Sequence, residues 1–397
     1  MKPAHLSAAA LLVALLMPGQ TRVWAQDSPP DTDAIARTLV VENTGIEEGD
    51  KVLILGPERE RQLLEDLNVQ VRKAGAFPLL AVTSDQLERR LVDEVPSAYD
   101  AQTDSLMLEL MGIVDAQIFV AVDPPPDIIM GLAPERLAAR FAAFLPIDQR
   151  MRERDVRFLE VGNQLFPTAW RAEQFQVPRE RLASMFWEAV AVDYGELERT
   201  GSAVRERLES GGEVHVTHTD GTDLRFRIEG RQVFVNDGVI SDEDRQRGGA
   251  AVWAWVPAGG AYTTAVPGSA RGTIVVPHTF FFDQEVTDLR LEFQDGLLTA
   301  MSGSGPGFER YKSQYEAGGE GRNAFGILDI GLNPRVMIPE GSRVQTFLPA
   351  GSVTLGYGND LWAGGENDVN WGDFQSLQGA TLSIDGEPLI EVGRLVR

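Results

Sequence analysis

Carboxylates are the side chains of this sequence best placed to do chemistry, because four of them crowd one glycine-rich stretch. They are Asp360, Glu366, Asp368 and Asp373. Hard oxygen donors that meet in a loop can hold a calcium ion. Their spacing does not match a helix–loop–helix calcium loop, and the chain is acidic throughout, with 59 acidic against 36 basic residues. Solvated turn acids are the simpler interpretation, and a calcium site is the alternative.

The histidines and serines give weaker indications of a metal or catalytic site. His215 and His218 stand three apart in a predicted strand, so they should point to opposite faces and could not chelate one ion together. His278 precedes a run of three phenylalanines, and packing explains it as well as metal ligation does. The motif G-x-S-x-G, which presents a nucleophilic serine, is absent. We expect Ser302 and Ser304 to lie in a surface loop.

The start of the chain is typical of an export signal. Lys2 supplies a positive charge, residues 8–17 are a short apolar run, and Ala25 follows a candidate cleavage motif. The run is shorter than the roughly 20 residues that a membrane-spanning helix needs. We therefore predict a signal peptide over residues 1–25 and a periplasmic or secreted protein. A retained interfacial anchor is the alternative.

Composition narrows the choice of partners. The net charge of −23 disfavours nucleic acid and anionic lipid, because both bind basic surfaces. The absence of cysteine excludes disulfides and thiolate metal sites. No stretch after the predicted signal is long and apolar enough to cross a membrane.

The elements of the first half predict a mostly parallel sheet. A strand over residues 51–55, an amphipathic helix over 58–73 and a strand over 79–82 form a βαβ unit. The alternation continues to a helix over 196–210. No glycine-rich phosphate loop follows the first strand, so a dinucleotide site is not expected. We place a linker at residues 26–33 and an α/β domain at 34–210.

The second half, residues 211–397, predicts a β-rich domain. The turn 219–222 separates two short strands, which is typical of a hairpin. Residues 286–293 alternate apolar and charged side chains, and Asp295-Gly296 turns the chain into the next strand. We expect no long amphipathic helix after Gly212. A twisted β-domain or a partly closed barrel fits this pattern.

Short motifs follow one another in a set order along the chain. They include DGTDL at residues 220–224, PAGGAYT at 257–263, IGLNP at 330–334, GSVTLGYG at 351–358 and NWGD at 370–373. Their order and spacing resemble the aminopeptidase T family of metallo-exopeptidases over most of the chain. The resemblance implies an α/β N-terminal domain with a mostly parallel sheet, followed by a β-rich C-terminal domain.

The resemblance also implies where a metal site would be. In that family two glutamates, two histidines and an aspartate hold two divalent metal ions, which activate water to attack the peptide bond next to a free N-terminus. The matching positions here are Gly260, Ile327, Thr354, Asn370 and Asp373. The fourth matching position is Trp371 or Gly372, instead of Asn370, if the gap in the comparison with the family motif is placed differently. Only Asp373 retains an anionic donor, so we expect the metal site to be absent.

Three functions stay open at this point. The first is an exported, catalytically silent relative that has no cofactor and binds peptides in its cleft. The aromatic rings expected to line that cleft are Tyr262, Tyr357, Trp362 and Trp371, although ordinary packing would also explain each ring. The second is an active metal-dependent aminopeptidase or other hydrolase, with a site rebuilt from the loop acids or Asp329. The third is a structural or binding protein of the cell envelope, a homodimer through its β-domain.

Overall fold

A computed structural model describes residues 31–120, 125, 127–128, 132–281, 284–369 and 371–396. The predicted signal peptide and Asn370 lie outside these ranges, as does most of the predicted linker. A helix already begins at Thr32, inside that linker. Across the described ranges, we find no helix with the length and apolarity needed to span a bilayer.

The described strands are, in chain order, β1 (Lys51–Pro57), β2 (Phe77–Thr83), β3 (Ala116–Val120), β4 (Arg157–Val161), β5 (Glu213–Thr217), β6 (Asp223–Arg227), β7 (Val233–Asn236), β8 (Trp253–Val256), β9 (Gly260–Thr264), β10 (Arg271–Phe281), β11 (Gln284–Gln294), β12 (Leu297–Ser304), β13 (Phe325–Gly331), β14 (Val353–Gly358), β15 (Gly372–Leu377), β16 (Thr381–Ile384), β17 (Glu387–Glu391) and β18 (Arg394–Leu395). The described α-helices are Thr32–Thr38, Arg61–Lys73, Asp85–Glu94, Ser105–Met111, Pro134–Glu153, Ala169–Gln174, Arg179–Val190, Tyr194–Glu209, Asp242–Arg247 and Phe308–Ala317.

The first sheet is parallel throughout, in the order β2-β1-β3-β4-β8. The predicted βαβ unit is confirmed: β1 and β2 pair in parallel across the helix Arg61–Lys73. That helix packs on the sheet because its buried apolar residues share one face: Leu63, Leu64, Leu67 and Val71. It ends at Lys73, and Gly75 follows with a φ of +82°, the left-handed conformation that closes many helices.

Two antiparallel sheets form the rest of the fold. One has the order β12-β11-β10-β6-β5-β16-β17-β18, and the other, the five-stranded antiparallel sheet, has the order β15-β14-β13-β9-β7. The predicted hairpin is present, because β5 and β6 pair on either side of the turn. The predicted fold class, a parallel α/β region followed by a β-rich region, is confirmed. Since β8 returns to the parallel sheet after residue 210, the chain visits the first layer twice.

One local prediction is wrong. Ser302 and Ser304 do not lie in a surface loop: both belong to β12 and pair with β11. A helix that the sequence did not indicate, Phe308–Ala317, follows that strand. Its apolar positions are aromatic rings on a single short stripe, with Tyr311 fully buried. Ten residues give too few turns for the helical period to stand out in such a glycine-rich sequence.

Candidate functional site

A cavity of about 730 Å³ opens over one face of the five-stranded antiparallel sheet. The strands β9, β13, β14 and β15 supply its floor. Asn163 and Gln164, which follow β4 at the carboxyl edge of the parallel sheet, line another wall. Ligands of open α/β sheets bind outside the carboxyl ends of the strands, so this is where the fold favours a site.

Three of the five positions implied by the resemblance meet in this cavity. Gly260, Ile327 and Thr354 all line it, from β9, β13 and β14. The Thr354 hydroxyl is already paired, 2.8 Å from the Ser376 hydroxyl of β15. Ile327 is fully buried in a cluster of apolar side chains that includes Tyr262. None of the three can offer a charged donor to a metal ion.

Asp373 lies on the opposite face of the same sheet. It pairs with Tyr357, whereas Thr354 pairs with Ser376, and side chains alternate between faces along each strand. Phe374, the next residue, lines the cavity instead. The Asp373 carboxylate accepts a hydrogen bond of 2.6 Å from the Tyr311 hydroxyl and one of 2.9 Å from the Gln375 amide. The structure therefore does not bring Asp373 to the other ligand positions.

The residues of this site do not fit a pair of divalent metal ions. Two dications require several anionic or imidazole donors to offset their dehydration. The described positions supply a glycine, an isoleucine and a threonine at the cavity, while Asp373 faces away. Throughout the described ranges, no three histidine, aspartate or glutamate side chains are grouped closely enough to hold one ion. No catalytic step through a metal follows from this arrangement.

Asp329 is the acidic side chain at the floor of the cavity. It is two residues from Ile327 on β13, so it shares that face of the sheet, and it is 8% exposed. Burial raises its pKa to about 7, although a backbone hydrogen bond from Ile330 opposes the rise. One carboxyl oxygen, Oδ1, has no hydrogen-bond partner in the described part of the chain.

Gly260 gives this carboxyl group its space. A Cβ atom at Gly260 would lie 3.1 Å from Asp329 Oδ1, closer than most side-chain contacts allow. The carboxyl group of Asp329 thus lies over the position that the resemblance assigns to a glutamate. The sequence shows Asp329 as an acid inside the apolar run of β13. Its raised pKa depends on burial, which the sequence does not reveal.

Aromatic rings form one side of the cavity. Tyr262 and Trp362 line it, with ring centroids 5.2 Å apart, and Tyr262 stacks on Phe234 at 5.4 Å. Trp362 is 39% exposed and so remains accessible. The other two rings proposed for the cleft, Tyr357 and Trp371, are buried behind the sheet, because they pack with each other and with the aromatic stripe of the helix Phe308–Ala317.

The loop acids and histidines have structural partners or lie in solvent. Asp360 Oδ1 accepts the backbone N–H of Asn367 at 2.7 Å and so holds the glycine-rich turn. Glu366 and Asp368 are exposed. The three described histidines each bond to a different partner: His215 pairs with Asp223, His218 with the Gln378 carbonyl and His278 with Glu285. His218 and His278 line the cavity wall.

Comparisons with known proteins agree with this architecture. The model of the thermophilic metalloprotease (M29) family matches residues 30–306, a range that contains Gly260 but ends before Ile327. Wild-type AmpT from Thermus thermophilus is similar at 16% identity and a TM-score of 0.70, over 92% of this chain and 99% of that chain. The 2,5-dihydroxypyridine dioxygenase from Pseudomonas putida KT2440 is similar at 13% identity and a TM-score of 0.62, over 93% and 98%.

The two solved structures show a shared fold and, at these identities, no more than that. Comparison with curated proteins finds no match. The family match extends over more than half of the sequence, from the first described helix through β12. By this match the chain belongs to the thermophilic metalloprotease (M29) family, the family that includes the aminopeptidase T proteins it resembles.

Proposed function

We propose that this chain is an exported, catalytically silent member of its family, which keeps the cleft as a binding site. The observation that carries the proposal is the set of side chains at the family's ligand positions. Gly260, Ile327 and Thr354 meet at the cavity without a charged donor, and Asp373 points to the other side of the sheet. An apolar side chain such as that of Ile327 would stand where the charge of a dication must be compensated.

The cavity itself supports retained binding. Its volume of about 730 Å³ lies within the range of small-molecule sites, and it combines aromatic walls with several buried polar side chains, of which Asp329 is one. Tyr262 and Trp362 offer ring surface, and Asp329 offers an unpaired oxygen. A short peptide or a small organic molecule fits such a site. The predicted signal peptide supports a periplasmic or secreted location. We also propose that the protein is a homodimer through its β-rich region.

Metal content and peptidase activity test the proposal together. The mature protein, purified without chelators and dialysed, should contain far less than one equivalent of zinc, cobalt or manganese, and should not cleave peptides at their N-termini. One or two tightly held ions, together with cleavage that the Asp373→Ala variant loses, would contradict catalytic silence. Cleavage of the leader, read by N-terminal sequencing, and native mass test export and dimerisation separately.

One observation favours a second candidate, a hydrolase rebuilt around Asp329. A carboxyl group whose pKa is raised to about 7 by burial can exchange a proton near neutral pH, which general acid–base catalysis requires. In that case peptide or ester cleavage should survive repeated purification and be lost in Asp329→Asn. The exposed loop variant Asp368→Asn is the matched control and should keep full activity.

A further inference from the structure

One oxygen of the Asp329 carboxyl group lacks a hydrogen-bond donor among the residues that the structure describes. This atom, Oδ1, is buried, and the whole residue is only 8% exposed. Buried polar groups are almost always paired, and an exception calls for an explanation. Asp329 lines the cavity and is 8% exposed, so a donor can approach its carboxyl group from the cavity side.

Among the described residues, none pairs with Asp329 as a cation. Its neighbours across the sheet are Tyr262 on β9 and Thr354 on β14. Of the described residues that line the cavity, Arg343 carries a permanent positive charge, but it lies 3.8 Å from Glu285 and stacks over Phe280. The histidines of the wall also have partners, the Gln378 carbonyl and Glu285.

The rings beside Asp329 favour one kind of donor. Tyr262 is its cross-strand partner, and Trp362 and Phe234 extend the aromatic surface from Tyr262. Aromatic faces attract cations as well as apolar groups, and a carboxyl group next to them adds a charge-assisted hydrogen bond. The net charge of −23 also raises the local concentration of cations around the protein.

We infer that the cavity binds an organic ammonium ion with an apolar or aromatic body. The ammonium N–H donates to the Asp329 carboxylate, and the body lies along Tyr262 and Trp362. No covalent change is involved. The inference rests on the proposed binding function and specifies its ligand class: a cationic amine, in contrast to a neutral or anionic molecule.

Phenethylamine and phenethyl alcohol form a matched pair of probes for this site. They share the ring and the two-carbon chain and differ in the terminal group. Isothermal titration of the purified mature protein should show that the amine binds at least about tenfold more tightly than the alcohol, a difference that one charge-assisted hydrogen bond supplies. Asp329→Asn should reduce amine affinity by about tenfold or more, and Asp368→Asn should leave it within about twofold.

Two outcomes would overturn the inference. One is equal affinity for amine and alcohol in the unaltered protein, a comparison that does not depend on whether any variant folds. The other is amine affinity that Asp329→Asn leaves unchanged, with folding of the variant verified by circular dichroism. If peptides lacking a free amine still bind, the proposed binding function survives while the ammonium inference fails. Bound catalytic metal would instead contradict the proposed function and leave the amine comparison valid.

Discussion

Replacing Asp329 with asparagine isolates the cost of burying this carboxyl group, because asparagine has nearly the same shape and does not titrate. Burial raises the pKa of Asp329 from 3.8 to about 7. The folded chain therefore holds this proton more tightly than the unfolded chain does. It follows that the group lowers the free energy of unfolding progressively as pH rises from about 4 to about 7, and by a constant amount above that.

The magnitude follows from the same two values. At about 1.4 kcal/mol per pKa unit, the difference between 3.8 and about 7 amounts to about 4 kcal/mol, as an order of magnitude. Between about pH 5 and about pH 8, Asp329→Asn should therefore gain about 2 to 3 kcal/mol of stability relative to the unaltered chain. Other titrating groups cancel in this comparison because both proteins carry them.

Urea unfolding of both proteins at the two pH values measures the effect. Asp368→Asn, in the exposed loop, is the matched control and should show no such pH-dependent gain. If the stability difference between Asp329→Asn and the unaltered chain were the same at both pH values, the carboxyl group would be ionised in the folded state across the whole range. The reasoning from burial would then be refuted.

Three further variants probe the site and its support. Gly260→Glu alone should not restore metal binding, so elemental analysis should find no added metal. The substitution should also lower the melting temperature, because its Cβ would lie 3.1 Å from Asp329 Oδ1. Tyr311→Phe removes the 2.6 Å hydrogen bond from the buried Tyr311 hydroxyl to the half-buried Asp373, and it should lower the free energy of unfolding by about 1–3 kcal/mol in urea titrations. No loss of stability would contradict that role. Trp362→Ala should weaken phenethylamine binding severalfold with little change in melting temperature, because this ring is 39% exposed, and unchanged binding would remove it from the cleft.

The fold was largely predictable because its elements carry regular patterns. The helix Arg61–Lys73 spaces its leucines along one face, and β11 alternates buried and exposed side chains, so both follow from periodicity alone. The helix Phe308–Ala317 was missed because a short aromatic stripe beside glycines resembles a loop. The boundary at residue 210 stays a prediction, and the return of β8 to the parallel sheet required pairing that no local pattern specifies.

The site was less predictable than the fold. The family resemblance places Asp373 among the ligand positions, but a shift of one residue along a strand turns a side chain to the other face. The pairing of Tyr357 with Asp373 determines that face, and sequence spacing does not contain it. Asp329 was visible only as one acid among many. Its burial, its unpaired oxygen and its position over Gly260 become apparent only when three strands are assembled.

The metal content of the mature protein tests the central claim most directly. After dialysis against a weakly binding buffer, elemental mass spectrometry should find less than about a tenth of an equivalent of zinc, cobalt or manganese per chain, against the two ions of an intact two-metal site. That result is expected because Gly260, Ile327 and Thr354 offer no charged ligand at the cavity. One or two ions retained per chain would contradict the account and identify the protein as a working metalloenzyme.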